Sequence, residues 1–91
     1  MAAVTILDIC RTALRRKSTA LDDTELIPLI AAAKSDLAAA GVGIVDDTDP
    51  LTQAAIRLYV LWMVGGGDKE RQFYEAVKAG MAINSDYAVS G

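Results

Sequence analysis

The chain has 91 residues, 53% hydrophobic and 5% aromatic, with nine basic and twelve acidic side chains leaving a net charge of −3. That length predicts one domain over residues 1–91 with a modest core, and the apolar content argues against disorder. The negative balance disfavours a protein that tracks phosphates, while the absence of histidine and a single cysteine, Cys10, remove the usual general base, an internal disulfide and a cysteine zinc site.

Met1 to Thr5 carries no positive charge ahead of its apolar residues, so no secretory leader is expected. The longest apolar run, Leu58 to Val64, is well short of the roughly 20 residues of a membrane span. A soluble protein of the reducing cytoplasm is the expectation.

Capping chemistry and 3.6-residue periodicity predict an all-α fold, a small bundle of four (possibly five) short helices at about 5–16, 23–40, 50–64 and 69–83, with a flexible tail at 85–91. The first starts at Thr5, where Thr5-Ile6-Leu7-Asp8 reads as a capping-box variant with Val4 and Ile9 as its staple. Ile6, Ile9, Cys10, Ala13 and Leu14 form its inward stripe, and Arg15, Arg16 and Lys17 sit at its negative end.

The second helix has two candidate starts. Asp22-Asp23-Thr24-Glu25 reads as a capping box, but Pro28 would clash with the carbonyl of Thr24, which favours a later start or a kink. Ile30, Ala33, Leu37 and Ala40 form the stripe, Lys34 and Asp36 face away, and Gly41 provides a left-handed stop. The connector to Thr48 has room for a short extended piece at Gly43-Ile44-Val45.

The third helix opens on Asp49 as cap and Pro50 in the first turn. Leu51, Ala55, Leu58 and Trp62 form its predicted stripe, and its second half is apolar all round, as suits a helix that is central in a bundle, covered by a partner, or both. In the fourth, Asp68 is the predicted cap and Phe73, Ala76, Val77 and Met81 the predicted core stripe.

No catalytic or cofactor site can be assembled. Gly65-Gly66-Gly67-Asp68-Lys69 follows a helix and lacks the spacing of a phosphate loop, so it reads as a helix stop and turn. Asp46-Asp47-Thr48-Asp49 suggests a calcium loop, but positions six and twelve from Asp46 are Leu51 and Arg57 instead of glycine and glutamate. Cys10 lies on an apolar face with no histidine to activate it and reads as a buried small hydrophobe. No cofactor or metal is expected.

Two groups bear on binding. Arg11, Arg15, Arg16 and Lys17 are the one basic cluster, read as a solvated helix end or as a face turned to DNA phosphates in a channel. Tyr59, Trp62 and Met63, with Tyr87 and Val89 of the tail, are candidate protein-interface residues, since aromatic anchors are enriched at hot spots. For Tyr59 and Trp62, core packing is the equal alternative.

The order of these motifs resembles the head-tail connector family of long-tailed bacteriophages, also known as head-completion or phage DNA-packaging proteins. The likeness rests on the acidic cap before Leu26-Ile27, on Ala32-Ala33-Lys34-Ser35-Asp36-Leu37, and on Asp49-Pro50-Leu51 followed by Ala55-Ile56-Arg57-Leu58-Tyr59-Val60. The loop from Gly65 to Asp68 and Phe73-Tyr74 complete it, over about Val4 to Tyr87.

The resemblance implies a non-enzymatic virion protein of the neck, assembled in the host cytoplasm. It implies a homo-oligomeric ring of about twelve subunits below the portal, with the portal and the next neck or tail-completion protein as partners. DNA would pass through without specific binding. Pro28 departs from the family pattern, and the arm that in the family meets the portal is abbreviated to Ser85–Gly91. A small helical DNA-binding regulator is the main alternative, with Gln53 and Arg57 on the third helix and Lys69, Arg71, Gln72 and Lys78 on the fourth; another kind of protein-interaction module is the second.

Overall fold

The computed structural model describes residues 5–16, 22–42, 45, 48–65 and 67–83, without the side chain of Arg16. Its elements are α1 (Ile6–Arg16), α2 (Asp23–Ala39), α3 (Pro50–Gly65) and α4 (Asp68–Ile83), and the fold is a small all-α bundle. The predicted tail and the staple residue Val4 lie outside the described residues, as do Gly43 and Ile44 of the connector.

Thr5 caps α1: its hydroxyl accepts from the Asp8 amide at 3.2 Å and donates to the Asp8 carboxylate at 3.0 Å. Ile6, Cys10, Ala13 and Leu14 are buried, a spacing that keeps them on one face of the helix.

α2 takes the earlier of its two candidate starts. Pro28 stands inside the helix, and its ring leaves the carbonyl four residues back without a helical donor. Thr24 and Pro28 are both exposed, so water can solvate that carbonyl. The predicted capping box does not form, because Asp22 makes no side-chain cap bond. The Asp23 carboxylate is taken instead by Arg11 of α1, whose Nε donates at 3.0 Å and whose second nitrogen completes a bidentate pair.

Leu26, Ile30, Ala33 and Leu37 are buried on α2, while Ala40 falls at the exposed C-cap. Gly41 then adopts φ +105°. The Gly41 amide bonds the Ala38 carbonyl at 3.1 Å and the Val42 amide bonds that of Leu37 at 3.0 Å. This is a Schellman stop, and Val42 is buried where the chain turns into the core.

α3 is the central helix, packed against α1, α2 and α4. Asp49 caps it as the sequence predicts, accepting from the Thr52 amide at 2.9 Å and the Thr52 hydroxyl at 3.1 Å. Its buried face is Thr52, Ala55, Ile56, Val60 and Leu61. The stripe predicted through Leu51, Leu58 and Trp62 is therefore displaced: Leu51 is exposed, and the other two are half-buried. With three neighbours to meet, the apolar half of α3 leaves the choice of deepest face to packing.

α4 begins at Asp68, so Asp68 is its first helical residue rather than its cap; the Arg71 amide reaches the carbonyl of Gly67 at 3.2 Å. Tyr74 and Met81 are buried and Val77 half-buried, whereas Phe73 and Ala76 face outward against expectation. Asp36 does not face solvent freely as its place on the α2 wheel implies. It accepts from the Tyr74 hydroxyl and, at 3.1 Å, from Lys78. With its ring also packed on Tyr59 and Trp62 of α3, Tyr74 points inward and Phe73, one position away, stays outside.

Candidate protein-interaction surface

Tyr59 and Trp62 project from α3 toward α4 and enclose Tyr74. The Tyr59 ring meets Tyr74 edge-on at 5.3 Å between centroids and meets Trp62 edge-on at 5.8 Å, while Trp62 and Tyr74 lie 6.1 Å apart. Such pairs each contribute about 0.5–1.5 kcal/mol beyond burial. Both α3 rings are half-buried, so they join α4 to the core and show only part of their area outside. Met63, one turn beyond Tyr59, is exposed. Tyr87 and Val89 lie outside the described residues.

At the rim of these rings is a polar cluster of Asp36, Tyr74, Glu75 and Lys78. Hydrogen bonding from Tyr74 is the main influence holding the Asp36 carboxyl below its usual range, with Lys78 adding to it. Burial, then the Asp36 contact, pushes the Tyr74 phenol above its usual range. Burial opposes the charge on Lys78, yet its bonds to Asp36 and Glu75 prevail and raise its pKa. The Lys78 ammonium also lies 5.1 Å from the centre of the Tyr74 ring. A carboxylate, a phenol and an ammonium so mutually satisfied form a structural clasp: the phenol and the ammonium keep their protons more firmly than in water and the carboxylate stays ionised, so all three pKa values move away from neutrality, the reverse of what proton transfer there needs.

Of the four residues of the basic cluster, Arg11 and Arg15 have described side chains. Arg11 is held by Asp23 and by Asp8 at 3.1 Å. Arg15 is exposed, while Lys17 and the side chain of Arg16 lie outside the described residues. Cys10 is fully buried, and burial raises its thiol pKa to about 11 despite the nearby charge of Arg57. A thiol so placed is a poor nucleophile.

Large apolar side chains also stand outside on α2 and α4, where sequence reasoning missed them; on α3 it had named Met63. Ile27, Leu51, Met63, Phe73 and Ile83 are all exposed. A groove of about 250 Å³ also runs between α1 and α2, lined by Ile6, Leu7, Ile27, Ile30, Ala31 and Lys34. The signal available in sequence was the surplus of apolar positions on α2 and α4 over what one stripe can bury.

Among the described residues, no group of three or more acidic, cysteine or histidine side chains is placed to hold a metal ion. No described helix is long and apolar enough to cross a membrane. The chain matches no protein-family model, no curated protein and no solved structure.

Proposed function

We propose that this chain is a structural subunit of a phage neck, a connector that assembles below the portal and joins head to tail. The observation that carries the reading is the apolar surface left uncovered on so small a bundle, with Ile27, Met63, Phe73 and Ile83 all exposed. Phe and Met, both among these side chains, are residue types enriched in protein interfaces. The resemblance in motif order names the kind of protein, and the fold agrees with the helical bundle it implies.

Electrostatics favour the same reading over a DNA-binding regulator. A conduit must let DNA slide, and a subunit with net charge −3 offers phosphates little to hold. Arg11, the basic side chain nearest the middle of α1, already serves two carboxylates. In a low-salt gel shift the chain is expected to leave duplex DNA unretarded; tight, salt-sensitive retardation would favour the regulator.

Affinity capture with tagged full-length chain, from cells in which the cognate phage or prophage is expressed, tests the proposal. Portal and neck proteins are the expected partners by mass spectrometry. Recovery of only host proteins or DNA would overturn it.

A further inference from the structure

We propose that copies of this chain associate head to tail, the outer face of α4 in one copy seating in the α1–α2 groove of the next. At about 250 Å³ the groove is smaller than the roughly 300–1,000 Å³ typical of small-molecule pockets. Lys34 is the one lining residue with a polar side chain, so little there would orient a small molecule. It suits one or two large apolar side chains of another protein.

α4 carries such side chains. Its inner face is Tyr74, Val77 and Met81; roughly 120° around the helix runs a second stripe, Phe73, Ala76, Gly80 and Ile83. The steps of three, four and three residues are those of a helix-packing seam. Phe73 is 52% and Ile83 87% exposed. A Cβ built on Gly80, between them, would meet nothing within 4 Å. The stripe is thus two large side chains flanking a shallow middle, which lets a second helix approach closely.

Charge sets the direction. Around the start of α2, Asp8, Asp22, Asp23 and Glu25 are exposed, and Arg11 pairs with two of them. Lys34 lies at the other end of the groove. On α4, Lys69 is exposed one turn before Phe73, and the stripe ends at the helix C-terminus, the negative end of its dipole. Laying α4 parallel to the neighbour's α2 brings Lys69 to the carboxylates, Phe73 over Ile27 and Leu7, and the negative helix end toward Lys34. The antiparallel arrangement sets Lys69 against Lys34.

Groove and stripe are different surfaces of one chain, so each copy can offer one and receive the other, and the contact repeats from copy to copy. Closure of such a series into a ring rests on the connector reading; the pairwise contact does not. A single 16-residue helix in a groove is a small contact beside the roughly 800 Å² per partner of stable interfaces. The free chain therefore self-associates only when concentrated.

The test is sedimentation of the full chain over a concentration series to about 1 mM, with Phe73→Asp and Ile27→Asp. Both side chains are more than half exposed, so the variants are expected to fold, as helical circular dichroism would show. The parent is expected to move to larger species with concentration, and each variant alone to stay monomeric. Their mixture is expected to recover a species of twice the monomer mass and no larger, since each variant retains one working surface. A parent that stays monomeric throughout, or a mixture that stays monomeric, would overturn the proposal. So would self-association by either variant alone, which indicates contacts between like surfaces. If head-to-tail pairing is found but no portal or neck protein is captured, the connector reading falls and this contact stands; the opposite pair of results removes this contact alone.

Discussion

The Tyr74 hydroxyl on α4 donates to the Asp36 carboxylate on α2, linking residues 38 apart in sequence. Through that bond the last helix is tied to the second as well as packed on the third. Tyr74 is fully buried, while Asp36 and Lys78 complete the contact at the rim. The bond adds to the packing of Tyr74 on Tyr59 and Trp62, with Tyr74 on the core side of α4 and Phe73 on its exposed side.

Replacing Tyr74 by Phe keeps the ring packing and removes the donor, at an expected cost of about 1 kcal/mol at neutral pH. Because the folded-state pKa of Asp36 is depressed, its contribution is present above the ordinary carboxylate pKa of about 3.9 and is lost as pH falls through the folded value. Urea midpoints are therefore expected to differ between parent and Tyr74→Phe at pH 7 and to converge when Asp36 is protonated. A gap unchanged in acid would place the cost in packing.

The cap of α3 is expected to matter more than an exposed cap does. Asp49→Ala removes acceptors for both the amide and the hydroxyl of Thr52, and Thr52 is fully buried. The loss is expected toward the upper end of about 0.5–2 kcal/mol for such caps. Thermal unfolding of Asp49→Ala beside Asp49→Asn measures it, with Asn retaining most of the stability.

Two glycines are expected to respond with opposite sign to alanine. At Gly41, φ is +105° and the space for a Cβ is open, so Gly41→Ala costs about 1–2 kcal/mol through the backbone alone. At Gly80 no contact opposes a Cβ within α4, and the helix gains about 0.5–1 kcal/mol from alanine. Denaturant midpoints of the two variants check the sign of each.

Cys10 is expected to be silent toward thiol reagents in the folded chain at pH 8, because it is buried and its pKa is raised to about 11. Labelling is expected to appear only as denaturant unfolds the helices. Rapid labelling in buffer would mean that α1 opens on its own.

Much of this fold was legible because its punctuation is local. Thr5, Asp49 and Gly41 satisfy backbone groups within a few residues, so their types and spacing alone locate helix ends. Facing is not local. On α4 two apolar stripes compete, and nothing near Phe73 reveals that Tyr74, next to it, has a carboxylate waiting on another helix. Asp36 and Asp23 carry the same difficulty: one looks like a solvated residue and the other like part of a cap, and each serves a helix other than its own. Tyr59 and Trp62 were recognisable as aromatic anchors, but their shared attachment to Tyr74 needed the tertiary structure.

The most direct test of the connector account is co-sedimentation of the purified chain with purified portal rings from the same phage, well below the concentration at which the free chain self-associates. The account predicts that the chain travels with the rings, in a number of copies set by the ring, and that Phe73→Asp reduces the number retained. A chain that remains in the slow monomer fraction at every ratio of chain to portal would contradict it.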